Sequence, residues 1–285
     1  MSEAVLHEVH LIGCGLIGTS MALDLRAKDV KVTLEDSVST NLAEAIKLGA
    51  GSTEAQDSPD LVIVAVPPSA VSEVVIAALE KYPEALVIDV ASVKTPIFDA
   101  LDAAKIDLTR FISTHPMAGK ELTGPENANA GLFKNKVWAV IKEQNQTPAL
   151  VLELIHLLGA KPVHLSAIEH DKAVALTSHT PQLLASVLAS LIAEADEAEL
   201  CLSGQGLLDM VRIAGSDSKL WSDIVMLNTA NIVAHITALQ AKLTNLVEIL
   251  ESSETSTTKD ELITLIEQGN SGLAKLKQIQ DRNLS

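Results

Sequence analysis

The sequence predicts an α/β protein with a doubly wound, Rossmann-type parallel sheet domain over residues 1–166. An all-helical dimerisation domain over 167–285 is expected to follow. Three observations support this. Short apolar runs alternate with amphipathic stretches through the first half, as in a parallel sheet covered on both faces. A glycine turn, Gly13-Cys14-Gly15-Leu16-Ile17-Gly18, directly follows the first run. From about residue 167 onward the periodicity is wholly helical.

In chain order, the strand-like runs are 9–12, 30–34, 61–66, 86–90, 111–114, 137–141 and 162–165. Helical patterns at 16–27, 41–48, 70–81, 94–104 and 148–158 fall between several of them. Segment 117–136 breaks the rhythm. It holds Gly119, Gly124 and Gly131 and reads as a loop with a short helix near 126–132, and long loops inside compact domains are often functional. The helical half begins with one long stretch at 168–195, apolar on more than one face over 180–193. Helices at 197–202, 207–213 and 220–250 follow, then 259–268 and 271–281 after a Ser/Thr-rich break at 252–258. A helix apolar nearly all round must be buried. In so small a region that burial is most easily met by a second copy, so a homodimer through the helical domain is expected.

Composition narrows the partners. The 285 residues carry a formal net charge of −16 and are 47% hydrophobic, which describes a globular chain that repels nucleic acid and anionic membranes. A small-molecule substrate is expected instead. An anionic one needs a local positive cluster, for which Lys94, Lys120 and Arg212 are candidates. The two cysteines, Cys14 and Cys201, are too few for a disulfide framework, so the reducing cytoplasm is the expected location. Signal-peptide features are missing, and no stretch approaches the ~20 apolar residues of a membrane span. His156, His164, His170 and His179 are scattered without a metal-ligand pattern, so no metal is expected.

The glycine turn sits between a strand and a helix, the setting a dinucleotide requires. Gly13 permits the tight turn, Gly15 lets the backbone approach a pyrophosphate, and Gly18 lets the helix pack on the strand. The N–H groups at Leu16 and Ile17 open the helix, where free donors and the positive dipole end favour phosphate. The second strand ends Leu34-Glu35-Asp36, at the distance expected for an acid that binds a ribose 2′-hydroxyl. Alternation from Val30, Val32 and Leu34 favours Asp36, with Glu35 as the other possibility. No arginine stands nearby to take a 2′-phosphate, so the cofactor expected is NAD rather than NADP. Val66-Pro67-Pro68 closes the third strand, either as a wall for the cofactor's ribose or simply as a strand stop.

Ser113-Thr114-His115-Pro116-Met117-Ala118-Gly119 follows the run Arg110-Phe111-Ile112, which places a histidine at the carboxyl end of a strand. Ligands bind along this edge of such a sheet. The run at 86–90 ends just upstream in Ala91-Ser92-Val93-Lys94. If the two strands are parallel neighbours, Ser92 and His115 emerge side by side, and the serine hydroxyl can fix the imidazole's tautomer and aim it at a substrate proton. The plainer alternative is that His115 merely caps its strand before Pro116.

The glycine turn, Asp89-Val90-Ala91-Ser92-Val93-Lys94 and His115-Pro116-Met117-Ala118-Gly119 together resemble the prephenate dehydrogenase family of tyrosine biosynthesis. Glu169-His170-Asp171, Ser178-His179-Thr180-Pro181 and Asp209-Met210-Val211-Arg212-Ile213-Ala214-Gly215-Ser216-Asp217 agree with it, as do Trp221 and Asn228. The resemblance implies NAD-dependent oxidative decarboxylation of prephenate. His115 would take the proton of the ring hydroxyl and Ser92 would orient it. Arg212 would hold a substrate carboxylate with His179 beside it, Glu121 would act as a gating acid, and Asp209 and Trp221 would shape the pocket. Simpler roles stay open: His179 packing within its helix, Trp221 in the core, and Arg212 paired with Asp209 or Asp217.

The chain departs from the family's pattern at Leu208, where a basic residue is usual, and at Gln182, where a second histidine is common. Both changes lower the positive potential near the site. An arogenate dehydrogenase is therefore the alternative among enzymes, and a non-catalytic NAD-binding sensor the alternative in another class. A sensor has no need of Ser92 with His115, or of an arginine facing them.

Overall fold

The computed structural model describes residues 5–54, 58–119, 121–141, 147–252 and 256–284. The chain divides into two compact units, Met1–Thr229 and Ala230–Ser285. The first is built on a seven-stranded sheet in the order β2-β1-β3-β4-β5-β6-β7. Its strands are β1 (Glu8–Ile12), β2 (Lys31–Glu35), β3 (Leu61–Val64), β4 (Leu86–Asp89), β5 (Phe111–Pro116), β6 (Val137–Ile141) and β7 (Lys161–Leu165). Helices α1 (Leu16–Arg26), α2 (Ser39–Lys47), α3 (Val71–Lys81), α4 (Thr95–Ala103) and α5 (Ala149–Leu157) connect them.

The central strands are buried on both faces, which is why β3, β4 and β6 read as near-continuous apolar runs. Along β3, Leu61 and Ile63 enter one core cluster while Val62 and Val64 enter the other, all 0% exposed. Met21 and Leu25 of α1 and Val151 and Leu154 of α5 cover the first side. Val71, Val75 and Leu79 of α3 and Ile97 and Leu101 of α4 cover the second. The Arg110 guanidinium closes the far end by donating to the carbonyls of Leu79, Tyr82 and Ala85 at 2.8–2.9 Å. The end of α3 is thereby tied to the start of β5.

β1 to β5 pair in parallel, as the sequence predicts, but β5 pairs antiparallel with β6. The reason lies in segment 117–136. Parallel neighbours need a crossover that returns the chain to the opposite edge, usually a helix. This segment forms no α-helix among its described residues, only a 3₁₀ turn at Pro125–Asn127 where a short helix was expected. The chain therefore re-enters the sheet at the edge it left, and the loop stays at the carboxyl ends of β1–β5. It is anchored there on α1, where the Ser20 hydroxyl accepts from the Asn129 N–H and Asp24 from the Gly131 N–H. α5 then provides the crossover that makes β7 parallel to β6.

After β7 the chain is helical. Ser166 caps α6 (Ala167–Val174) through a reciprocal box, accepting from the Glu169 N–H while Glu169 accepts from the Ser166 N–H. The stretch expected as one helix is interrupted by a π-helical turn at Ala175–His179 before α7 (Thr180–Glu194). Next come α8 (Glu197–Leu200), α9 (Gln205–Val211), a 3₁₀ turn at Arg212–Gly215 and α10 (Ser218–Leu227). Asn228 separates α10 from α11 (Thr229–Glu251), where the sequence suggested one helix. α12 (Ser256–Leu284) runs unbroken through Gly269, where two helices were expected. Among the described residues, no single helix is long and apolar enough to cross a membrane.

Candidate active site

β1 delivers the glycine turn to the carboxyl edge of the sheet. Gly13 has φ +106°, and a Cβ there would lie 2.4 Å from the Ala65 carbonyl oxygen, so a side chain has no room where the turn crosses the end of β3. A Cβ on Gly18 would meet the Gly13 carbonyl oxygen at 2.0 Å, which shows how closely α1 packs on the turn. Gly15 has nothing within 4 Å of its Cβ position and precedes α1 without a side-chain cap. The N–H groups of Leu16, Ile17 and Gly18 have no backbone acceptor among the described residues. An open approach to uncapped donors at the positive end of a helix fits a pyrophosphate.

Asp36 stands beside this turn, accepting from the N–H groups of Cys14 at 2.6 Å and Val38 at 2.7 Å. Glu35 is engaged elsewhere, with His10 at 3.0 Å and Lys81 at 3.4 Å. The geometry thus separates the two acids that the sequence left as alternatives. Val66 and Pro67 continue from β3 along the same edge, the Val66 nitrogen 3.0 Å from the Gly13 Cβ position. These residues fit NAD.

β5 carries His115 to this edge, half-buried. Its Nδ1 lies 2.9 Å from Nε2 of His170, and Nδ1 of His170 lies 2.8 Å from Oδ1 of Asp171. The same carboxylate accepts the backbone N–H groups of Lys94 at 2.9 Å and Thr95 at 2.7 Å. These donors open α4, so Asp171 is seated at a helix N-terminus. His115 Nε2 makes no hydrogen bond to a described residue and is not enclosed by protein. Burial pushes the His115 pKa well below its usual value, reinforced by His170, Lys94 and His179. Burial also lowers that of His170, against the pull of Asp171. For Asp171, burial alone would raise the pKa, but hydrogen bonds from His170 and Thr95 hold it below the carboxylate range.

Two expectations are corrected here. Ser92 is not the partner of His115. β4 and β5 pair in parallel with Asp89 opposite Ser113, and Ser92 lies in the loop beyond the end of β4, with no hydrogen bond to His115. The Nδ1 of His115 is held by His170. Lys94 cannot meet a substrate anion, because its side chain is 0% exposed and ion-paired with Asp89. Asp89 in turn accepts from the Ser113 hydroxyl at 2.5 Å and the Ala91 N–H at 2.8 Å. Lys120, the third cation considered, lies outside the described residues.

The remaining candidates gather around α7, α9 and α10. His179, on the π-helical turn, is buried, with the Asn228 amide donating to its Nδ1 at 3.1 Å and the Trp221 ring 5.9 Å away, edge to face. Burial pushes its pKa down to about 4, so it is neutral at pH 7 with its proton on Nε2. Arg212 pairs with neither Asp209 nor Asp217. Its Nη1 meets Glu121 Oε1 at 3.0 Å, joining two residues 91 apart in sequence. Asp217 instead caps α10, and Asp209 accepts from Gln205 at 2.8 Å. Gln182 is 5% exposed and donates to the Ile213 carbonyl at 2.9 Å, bracing the turn that presents Arg212. Leu208 lies on the surface, 56% exposed.

A glycine-turn sheet with an imidazole base at its carboxyl edge and an arginine on an adjoining helical segment defines a dinucleotide-dependent oxidoreductase. Residues 21–164 match the model for the prephenate dehydrogenase nucleotide-binding domain, and residues 166–268 match that for the prephenate dehydrogenase dimerization domain. The chain is 35% identical to the probable prephenate dehydrogenase NovF of Streptomyces niveus, over 84% of this chain and 68% of that protein. It is 29% identical to the cyclohexadienyl dehydrogenase of Zymomonas mobilis, over 88% of this chain and 90% of that protein. The fold matches prephenate dehydrogenase of Aquifex aeolicus in complex with hydroxyphenyl propionate and NAD+, with a TM-score of 0.82 at 24% identity, covering 98% and 100% of the two chains. This chain belongs to the prephenate dehydrogenase family.

Two expected outcomes follow from the geometry. Below pH 6.5 the unfolded chain protonates an imidazole at position 179 that the folded protein keeps neutral down to about 4. Its contribution to stability is therefore present near neutrality and is lost as pH falls through that window, by up to about 1.4 kcal/mol per pH unit. Urea midpoints between pH 7.5 and 4.5 should fall less steeply for His179→Gln than for the native chain, and equal slopes would contradict the buried neutral state. At the cofactor edge, Asp36→Ser removes the charge that repels a 2′-phosphate. It should raise NADP efficiency relative to NAD by about tenfold or more. An unchanged kcat/KM ratio would mean that Asp36 does not face the ribose.

Proposed function

We propose that this protein catalyses the NAD-dependent oxidative decarboxylation of prephenate to 4-hydroxyphenylpyruvate. The observation that carries this reading is the open Nε2 of a neutral His115 at the cofactor edge, in a chain of this family. NAD, when bound, accepts the hydride of the carbinol carbon. His115 Nε2 draws off the hydroxyl proton as the carbon–oxygen double bond forms. The ring then expels its carboxylate as carbon dioxide, the bonding electrons restore aromaticity, and His115 returns its proton to the phenolate oxygen. Protons and electrons balance without a further reactant, and aromatisation drives the loss of carbon dioxide. The protein has to position the ring, hold the anions and supply one base.

In this reading Arg212 holds the side-chain carboxylate. Its pairing with Glu121 uses one arm of the guanidinium, which offers five N–H donors, so Glu121 sits where it meets an arriving anion. His179 would stand beside Arg212 with its Nε2–H toward the substrate, and Trp221 and Asp209 would border the pocket. Ser92 follows β4 at the edge to which β5 carries His115. In this reading residues 1–166 serve the dinucleotide and 167–285 the substrate and dimerisation, a functional division that differs from the compact units, which part after Thr229. A cytoplasmic location suits a chain whose two cysteines are both free.

The helical region is also read as the surface of a homodimer. Val187 and Leu191 of α7 are each 62% exposed. Within the second unit, Val247 and Leu250 of α11 and Ile266 and Leu273 of α12 are at least half exposed. Exposed apolar residues on successive helices mark an association surface, and a second copy is the occupant that the family's dimerization domain favours.

His115→Asn should keep NAD binding and lower kcat with prephenate by about 10²–10⁴-fold. A near-native kcat would return His115 to a strand cap, and aromatic product analysis with prephenate and arogenate identifies the substrate. Sedimentation at micromolar concentration should give a mass near twice 30.2 kDa, whereas a stable monomer would show that these helices remain unpaired.

A further inference from the structure

His170 and Asp171 belong to no part of the mechanism described so far, yet they are each 1% exposed and in line with its base. A carboxylate buried this deeply must be fully satisfied. Asp171 meets the requirement with three donors, the Lys94 N–H, the Thr95 N–H and the His170 ring. Their chemistry fixes where the protons lie. A carboxylate only accepts, so neutral His170 carries its proton on Nδ1 and its lone pair on Nε2. That lone pair faces His115 at 2.9 Å. Neutral His115 must then carry its own proton on Nδ1, which leaves its lone pair on Nε2, the nitrogen open at the edge.

We propose that His170 and Asp171 are positioning residues for the dehydrogenation step, holding His115 in the tautomer and orientation whose Nε2 accepts the substrate's hydroxyl proton. The proposal rests on the dehydrogenase reading above. The substrate proton moves to Nε2 and back to the phenolate oxygen, and no proton passes on to Asp171. The carboxylate, fixed by two amides of α4, stabilises the transient imidazolium through His170. Asn228 braces the other side, donating from one amide group to the Asp171 carbonyl at 2.8 Å and to His179 at 3.1 Å.

Two substitutions separate positioning from packing. A glutamine side chain can place an oxygen where His170 Nε2 stands, accept from His115 Nδ1–H and still donate to Asp171. A leucine fills space and does neither. His170→Gln should retain kcat within about tenfold, whereas His170→Leu should lose about 10²-fold or more. In both variants the KM for prephenate and the Kd for NAD should stay within about threefold. Nitrogen-15 NMR of the histidine rings at pH 7.5 reads the same feature without turnover. His115 Nε2 should be unprotonated in the native chain and in His170→Gln, and should become a tautomer mixture in His170→Leu. A leucine variant with native kcat, or a native chain protonated on His115 Nε2, overturns the proposal. Absence of turnover in the native chain overturns the dehydrogenase reading instead, and the NMR measurement then still decides the positioning role.

Discussion

The Asp171 carboxylate at the start of α4 is the constraint on which the rest of the site depends. It comes from α6, yet two of its donors are backbone N–H groups at the end of the loop that leaves β4. Placing a charge there, away from water, is tolerable only if every lone pair finds a donor. The requirement spreads outward. His170 must point its Nδ1–H inward, Lys94 must turn its ammonium to Asp89, and Asp89 must take the Ser113 hydroxyl on the neighbouring strand. The polar core therefore locks the end of β4, the start of α4, β5 and α6 into one arrangement. Two imidazoles inside it are kept neutral, and one basic nitrogen is left facing out.

The cofactor edge follows a separate logic, and much of it is legible in the sequence. Each strand-like run corresponds to an observed strand, most plainly at β3 and β4, which are buried on both faces and read as near-continuous apolar runs. The glycine turn marks its own position through backbone demands that only glycine meets. The direction of β6 was less accessible, although the missing helix between β5 and β6 was a usable sign. The π-helical turn that presents His179 left no mark in the apolar periodicity, since neighbouring helical residues look alike on either side of it.

The polar core was largely illegible. His170 looked like one histidine among several, because its meaning depends on His115, 55 residues away, and Asp171 meets Lys94 across 77. Lys94 read as a cation available to an anionic substrate, since nothing local shows that Asp89 will bury it. Adjacent strands and the family resemblance both point to Ser92 as the partner of His115, whereas the imidazole that meets His115 Nδ1 is His170, on α6. Arg212 shows the same limit. Its nearest acids in sequence are Asp209 and Asp217, but the acid it meets is Glu121, on the loop held at the ligand edge. Gln182, read as a lost positive charge, is committed to the backbone beneath Arg212 and supports that side chain indirectly.

If the buried carboxylate acts on the chemistry only through His115, the two residues must be energetically coupled. A double-mutant cycle on kcat/KM tests this directly, with Asp171→Asn and His115→Asn made singly and together. The account predicts that Asp171→Asn lowers kcat/KM strongly in the native background and has almost no further effect once His115 is asparagine. Losses that simply multiply in the double variant would show that Asp171 contributes independently of the base, and would contradict the account.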